Sequence, residues 1–275
     1  MSTRNWLWRT IRPCGFALAI SALGQLVGVA CAHDDVRPKN DAGKVATDGY
    51  DDGTGITTPD VRVFGYDFGE DPADPFFTQD PGFNSLVGSG LQAGALSFDV
   101  LGPASGSGLP FNLSYWDGAG AVTWTSVPMS EQLRWNRGAN NLLIGSTSTP
   151  LISGFSIGTV AGAGSIHQHL NAFINGSDGN SIPAGPGDWG AGDAVEAAPG
   201  IYALSIVLKN GSLANSDPIW IVYNNGLDEE SHDAAIEWVN AHAVPEPTSW
   251  ILSGLGGVLL LFVGRRIQRR AEAAG

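Results

Sequence analysis

Ile201-Tyr202-Ala203-Leu204-Ser205-Ile206-Val207-Leu208-Lys209 (IYALSIVLK) alternates along an extended chain. Tyr202, Leu204, Ile206 and Leu208 share one face, and Ser205 and Lys209 share the other. Asn210-Gly211 follows as a turn. Working outward, the same reading repeats in both directions. Strands are predicted at Val61–Phe68, Ala95–Val100, Phe111–Trp116, Val122–Val127, Glu131–Trp135, Asn141–Ile144, Gly154–Val160, Ser165–Ile174 and Ile219–Tyr223. Asp117-Gly118, Asn175-Gly176 and Asn225-Gly226 punctuate them. Asp71–Pro81 (DPADPFFTQDP) holds three prolines and reads as a loop.

One helix is predicted over His232–Asn240, capped by Ser231, with Ala235, Trp238 and Val239 on one stripe. Many short strands and a single terminal helix predict a mainly β fold, a jelly-roll-like β-sandwich over residues 61–243. No strand–helix alternation supports a doubly wound sheet. Residues 33–60 (HDDVRPKNDAGKVATDGYDDGTGITTPD) are acidic and poor in apolar periodicity, and they read as a flexible lead-in. Asp48, Asp51 and Asp52 within it do not have the spacing of an EF-hand loop.

Charge excludes one class of partner. Between residues 33 and 264 there are 26 acidic and 7 basic residues. No Lys/Arg stripe exists to neutralise phosphates, so nucleic acid is not expected as a ligand. The other seven basic residues sit at the two ends. Arg4, Arg9 and Arg12 precede an apolar run, Gly15–Val29, and Ala30-Cys31-Ala32 supplies a small-x-small cleavage pattern. Residues 1–32 therefore read as a secretory signal peptide. Both cysteines, Cys14 and Cys31, fall inside it, so a cleaved chain has no disulfide.

The other end carries the most specific pattern. Pro245-Glu246-Pro247 is followed by an apolar run at 248–264 and then by Arg265-Arg266-Ile267-Gln268-Arg269-Arg270. The run reads as a short single transmembrane helix, with the arginines on the cytoplasmic side. The tripeptide, short helix and arginine cluster, in that order, resemble the PEP-CTERM sorting signal. That resemblance covers residues 245–270, within a sorting tail at 244–275. It implies an exosortase-type membrane protease as partner, with Pro245, Glu246, Pro247, Arg265 and Arg266 as the sorting motif. It implies export, a membrane anchor at the C-terminal helix, and delivery to the cell surface or extracellular matrix. The stretch 165–240 also resembles uncharacterised PEP-CTERM β-sandwich proteins. The pattern is His167-x-His169-Leu170-Asn171, then Gly200-Ile201-Tyr202, then Ser216-Asp217-Pro218-Ile219-Trp220, then Ala235-Ile236-Glu237-Trp238-Val239. This second resemblance implies fold and address, and no activity.

Three patterns carry candidate chemistry. His167 and His169 project from the same face of a strand, and two adjacent imidazoles make half of a zinc or copper site. Asp178, Asp217, His232 or His242 can supply the rest; otherwise both histidines serve a polar strand face and no cofactor is bound. Trp189 beside Asp188 and Asp193, in GPGDWGAGD, has the chemistry of a sugar-binding loop, with surface polysaccharide as partner. Trp116 with Asp117 is a similar pair, and folding of either tryptophan into the core is the competing reading. Gly154-Phe155-Ser156-Ile157-Gly158 matches G-x-S-x-G, but a turn-rich stretch follows where a nucleophile elbow needs a helix. No catalytic set emerges, and the sequence reads as a non-enzymatic surface protein with metal-binding and carbohydrate-binding alternatives.

Overall fold

The computed structural model describes residues 31–32, 34–70, 72, 74–128, 131–175 and 197–244. The predicted signal peptide up to residue 30, the Trp189 loop and the predicted sorting tail from Pro245 onward lie outside them. The described residues begin with β1 (Cys31–Ala32), β2 (Asp35–Asp41), β3 (Lys44–Asp51), β4 (Ile56–Thr58), β5 (Val63–Asp67) and β6 (Phe77–Thr78). It continues with β7 (Gly82–Ser85), β8 (Gly94–Leu101), β9 (Ser114–Trp116), β10 (Thr125–Ser126), β11 (Gln132–Arg137) and β12 (Asn140–Ile144). Then come β13 (Leu151–Val160), β14 (Ile166–His169), β15 (Asn171–Asn175), β16 (Gly200–Asn210), β17 (Ile219–Asn225) and α1 (Glu229–His242).

Among the described residues three sheets are formed. The large one runs β1-β5-β17-β16-β8-β13, with β9 also paired to β16 and β10 to β9. A four-stranded sheet runs β12-β11-β15-β6, and a five-stranded sheet runs β14-β7-β2-β3-β4. One face of the large sheet contributes Phe98, Tyr202, Leu204, Ile206 and Ile221 to a core shared with both smaller sheets. Leu133, Trp135 and Ile174 enter it from the four-stranded sheet, and Val36, Val45 and Phe83 from the five-stranded one. The opposite face, with Val63, Ile201, Ala203, Trp220 and Val222, is covered by Ala235, Ile236 and Val239 of α1. Burying Ile236 and Val239 stabilises this docking by roughly 1.5–3 kcal/mol each. β16 is therefore a central strand with both faces buried, and Ser205, expected on a polar face, is 1% exposed. Where a jelly roll is antiparallel throughout, β5 runs parallel to β1 and β17, and β2 parallel to β7.

The largest departure from the sequence reading is the lead-in. Residues 33–60 are not a flexible tail: β2, β3 and β4 lie within them, and the described strands start at β1 (Cys31–Ala32), at the end of the predicted signal, rather than at 61. Asp41 pairs with Lys44 across a two-residue turn, in which Ala42 (φ 50°) and Gly43 (φ 91°) both take the left-handed conformation. That turn type matches the twist of the flanking strands. The charged residues are partnered locally. Lys39 Nζ donates to Asp48 Oδ1 at 2.6 Å, and the Arg37 guanidinium lies 3.5 Å from the Tyr50 ring centroid. Asp51 accepts from the backbone of Gly53 and Thr54 and turns the chain into β4.

Two smaller corrections concern element ends. The predicted strand Ser165–Ile174 is two strands in different sheets. Leu170, fully buried, donates its N–H to Pro81 O, and the chain changes sheet there. The cap of α1 is Asp228, not Ser231: the Asp228 carboxylate accepts from Ser231 N at 2.9 Å. Glu229 and Glu230 in the first turn complement the helix dipole.

Candidate metal centre

β14 lies against β7, with His167 opposite Asn84 and His169 opposite Gly82. Ile166 points into the core, so the two histidines project from the outward face, as their spacing predicts. Their Nε2 atoms lie 3.1 Å apart. The third member was not anticipated. Asp35, at the start of β2 on the far side of β7, brings Oδ2 within 3.8 Å of His167 Nε2. One ligand atom from each of Asp35, His167 and His169 falls within 4.8 Å of the others.

Gly82 makes this meeting across an intervening strand feasible. A Cβ at Gly82 would overlap the Asp35 carboxylate and stand 2.7 Å from His169 Cε1. Glycine is required there for space, not for backbone conformation. Asn84, next on the same face of β7, donates Nδ2 to Asp35 Oδ2 at 3.1 Å and to Asp52 Oδ1 at 3.3 Å. Asp35 is only 7% exposed, and burial raises its pKa above the ordinary carboxylate range against the opposing pull of Asn84 and the two imidazoles.

His169 Nδ1 lies 3.1 Å from Gln79 O and 3.7 Å from Asp80 Oδ1. A carbonyl can only accept, so Nδ1 carries the proton and Nε2 presents its lone pair toward His167. The Asp80 carboxylate, more than any other neighbour, raises the His169 pKa.

The other expected ligands are elsewhere. Asp217 pairs with Lys44 Nζ at 2.6 Å. His242 stacks on Trp238 and contacts Trp238 O at 2.8 Å. His232 is fully buried beneath α1, with Nε2 at 3.1 Å from Val222 O and Nδ1 at 3.6 Å from Asp67 Oδ1. Asp178, with Trp189, Asp188 and Asp193, lies outside the described residues. Trp116 is 4% exposed and packs in the core beneath α1, while Asp117 accepts from Ala119 N in its turn. That pair is structural. Gly154-Phe155-Ser156-Ile157-Gly158 lies within β13, and Ser156 Oγ reaches Gly158 O at 3.3 Å; no elbow is formed.

At the end of α1, Ala243 closes the helix, its N–H donated to Val239 O, and its Cβ packs where a side chain on Gly108 would have to go. The model of the PEP-CTERM protein-sorting motif matches residues 243–270. The chain carries a PEP-CTERM sorting motif. No curated protein and no solved structure matches the chain. The PEP-CTERM motif implies export, processing by an exosortase system and sorting to the surface. It begins at the C-cap of α1, so the sorting region of this PEP-CTERM chain starts at a fixed point on the folded body. Among the described residues no helix is long and apolar enough to cross a membrane; the predicted span 248–264 lies outside them.

Proposed function

We propose that the chain is an exported cell-surface or matrix protein with a non-enzymatic structural or binding role, presented by a β-sandwich body. The observation that carries this reading is the sorting motif at 243–270, which follows the body without a linker after α1. The shared core between the large sheet and the two smaller sheets supports the sandwich description. In this reading the exosortase-type protease engages Pro245-Glu246-Pro247, the apolar run 248–264 holds the chain in the membrane until then, and matrix polysaccharide is the eventual neighbour of the body.

The test is fractionation of a host that contains an exosortase. The parent chain is expected in the surface or matrix fraction, and a variant lacking 245–270 is expected to lose that location. An intact parent chain confined to the cytoplasm would refute the reading.

A further inference from the structure

We propose that Asp35, His167 and His169 form a divalent metal site, zinc(II) foremost, that staples the N-terminal hairpin to the rest of the body. The inference stands apart from the sorting reading and uses none of its residues.

Four observations converge. First, the spacing fits. Two nitrogens bound to zinc at 2.0–2.1 Å and a tetrahedral angle stand about 3.3 Å apart, and the two Nε2 atoms are 3.1 Å apart. Asp35 Oδ2, at 3.8 Å from His167 Nε2, closes on the same centre by a small rotation of its carboxylate. Second, the donors are prepared. The Gln79 carbonyl holds the His169 proton at Nδ1, the usual outer-sphere arrangement of a metal-bound imidazole, and leaves the Nε2 lone pair on the site, where it hydrogen-bonds His167 Nε2 until an ion replaces that contact. Third, a buried carboxylate calls for a compensating cation. Asp35 is 7% exposed, its Asn84 partner is a neutral amide, and its ion-pair partner His167, at 3.8 Å, is an imidazole of the cluster itself and is charged only when protonated. Asp52 and Asp80 add negative charge around the two imidazoles. Fourth, the space is kept open, because any side chain at Gly82 would occupy it.

The donor set of two imidazoles and one carboxylate suits zinc(II) or copper(II) better than calcium or magnesium, which prefer oxygen. Three protein ligands leave at least one position open. It faces solvent beside a groove lined by Tyr50, Asp52, Asn84 and His167.

The topology assigns the role. Asp35 belongs to the β2–β3 hairpin, whose pairing with β7 is registered only at Val36 opposite Phe83. His167 and His169 belong to β14, on the other side of β7. A bound ion ties the two outer strands together across the middle one. With both cysteines in the predicted signal, this bond replaces a disulfide as the cross-link between the N-terminal strands and the body.

The experiment uses the full chain without a histidine tag, in detergent, stripped with chelator and titrated with zinc chloride by calorimetry. One equivalent of zinc is expected. Affinity should fall by more than about a hundredfold in the double variant His167→Ala with His169→Ala, and by about ten- to a hundredfold in Asp35→Asn. Both histidines are exposed, so their loss leaves the fold intact. Amide hydrogen exchange then reads the staple: zinc should slow exchange in residues 35–51 of the parent and not in the double variant. Zinc binding unchanged in the double variant, or no binding at micromolar zinc, overturns the site. Zinc binding without any change in exchange at 35–51 overturns the staple.

Discussion

Tyr223→Phe removes one oxygen from the centre of the core. Trp135 Nε1–H donates to Tyr223 Oη at 2.9 Å, and Tyr223 Oη–H donates to Asp80 O at 2.9 Å. Both side chains are fully buried, and burial raises the Tyr223 pKa well above its ordinary value, so the phenol keeps its proton. This relay joins β11 to β17 and β17 to the loop that presents Asp80 to His169. In Tyr223→Phe the indole N–H has no acceptor, which costs about 1–3 kcal/mol in a dry core, and the bond to Asp80 O costs about 1 kcal/mol more. The expected loss is about 2–4 kcal/mol, a large share of a domain's usual 5–15 kcal/mol. Trp135→Phe removes the orphaned donor, so adding Tyr223→Phe to that background should cost only about 1 kcal/mol. Urea unfolding followed by circular dichroism gives all four stabilities. A Tyr223→Phe variant within about 0.5 kcal/mol of the parent, or a double variant with additive losses, would refute the relay.

Other expectations follow from single positions. Gly82→Ala should lose most zinc affinity while β7 stays paired, because the new methyl fills the space between Asp35 and His169; calorimetry with unchanged circular dichroism checks it. Gly65→Val should loosen α1, since the branched side chain strikes Ile236 and the His232 ring, and faster hydrogen exchange in 229–242 is the readout. Glu131, 1% exposed, accepts from Ala198 N at 2.8 Å and Tyr202 Oη at 2.6 Å, yet burial raises its pKa above the ordinary range. A raised carboxyl favours folding most when protonated. Its contribution is full below the unfolded value, about 4.3, and declines as pH rises through the folded value. Glu131→Gln should therefore flatten the fall in urea midpoint above that pH, and parallel pH profiles for parent and variant would count against the assignment.

The sequence made the large sheet legible because its strands are long and apolar. β8, β13, β16 and β17 each contain the run predicted for them. The same logic concealed β2 and β3. Their inward residues, Val36 and Val45, are few, and their carboxylates look solvated until Lys39 and Arg37 are placed beside Asp48 and Tyr50. The signal present was the Asp41-Ala42-Gly43-Lys44 turn with valines on either side. The Asp35–His167–His169 cluster was half legible for a related reason. Local spacing put His167 and His169 on one face, but Asp35 joins them only through the β2–β7–β14 order, and Gly82 matters only through the side chain it lacks. The helix was found and its cap displaced, because Ser231 and Asp228 are both good caps and only the backbone at Asp228 is extended.

The parallel pairing of β5 with β17 puts Val63 opposite Trp220. In a chain exported amino end first, β5 follows its neighbour β1 directly, but its other neighbour, β17, comes only after nearly the whole body. The β2–β3 hairpin and the β1–β5 pair can close early, while the other edge of β5 stays open until β17 follows. Such late-closing contacts make for slow folding. β17 and α1 are the last pieces to arrive, and the sorting motif follows directly behind them. The last strand of the large sheet and its covering helix thus stand immediately before the sorting motif, so chain order places completion of the body just ahead of the sorting signal.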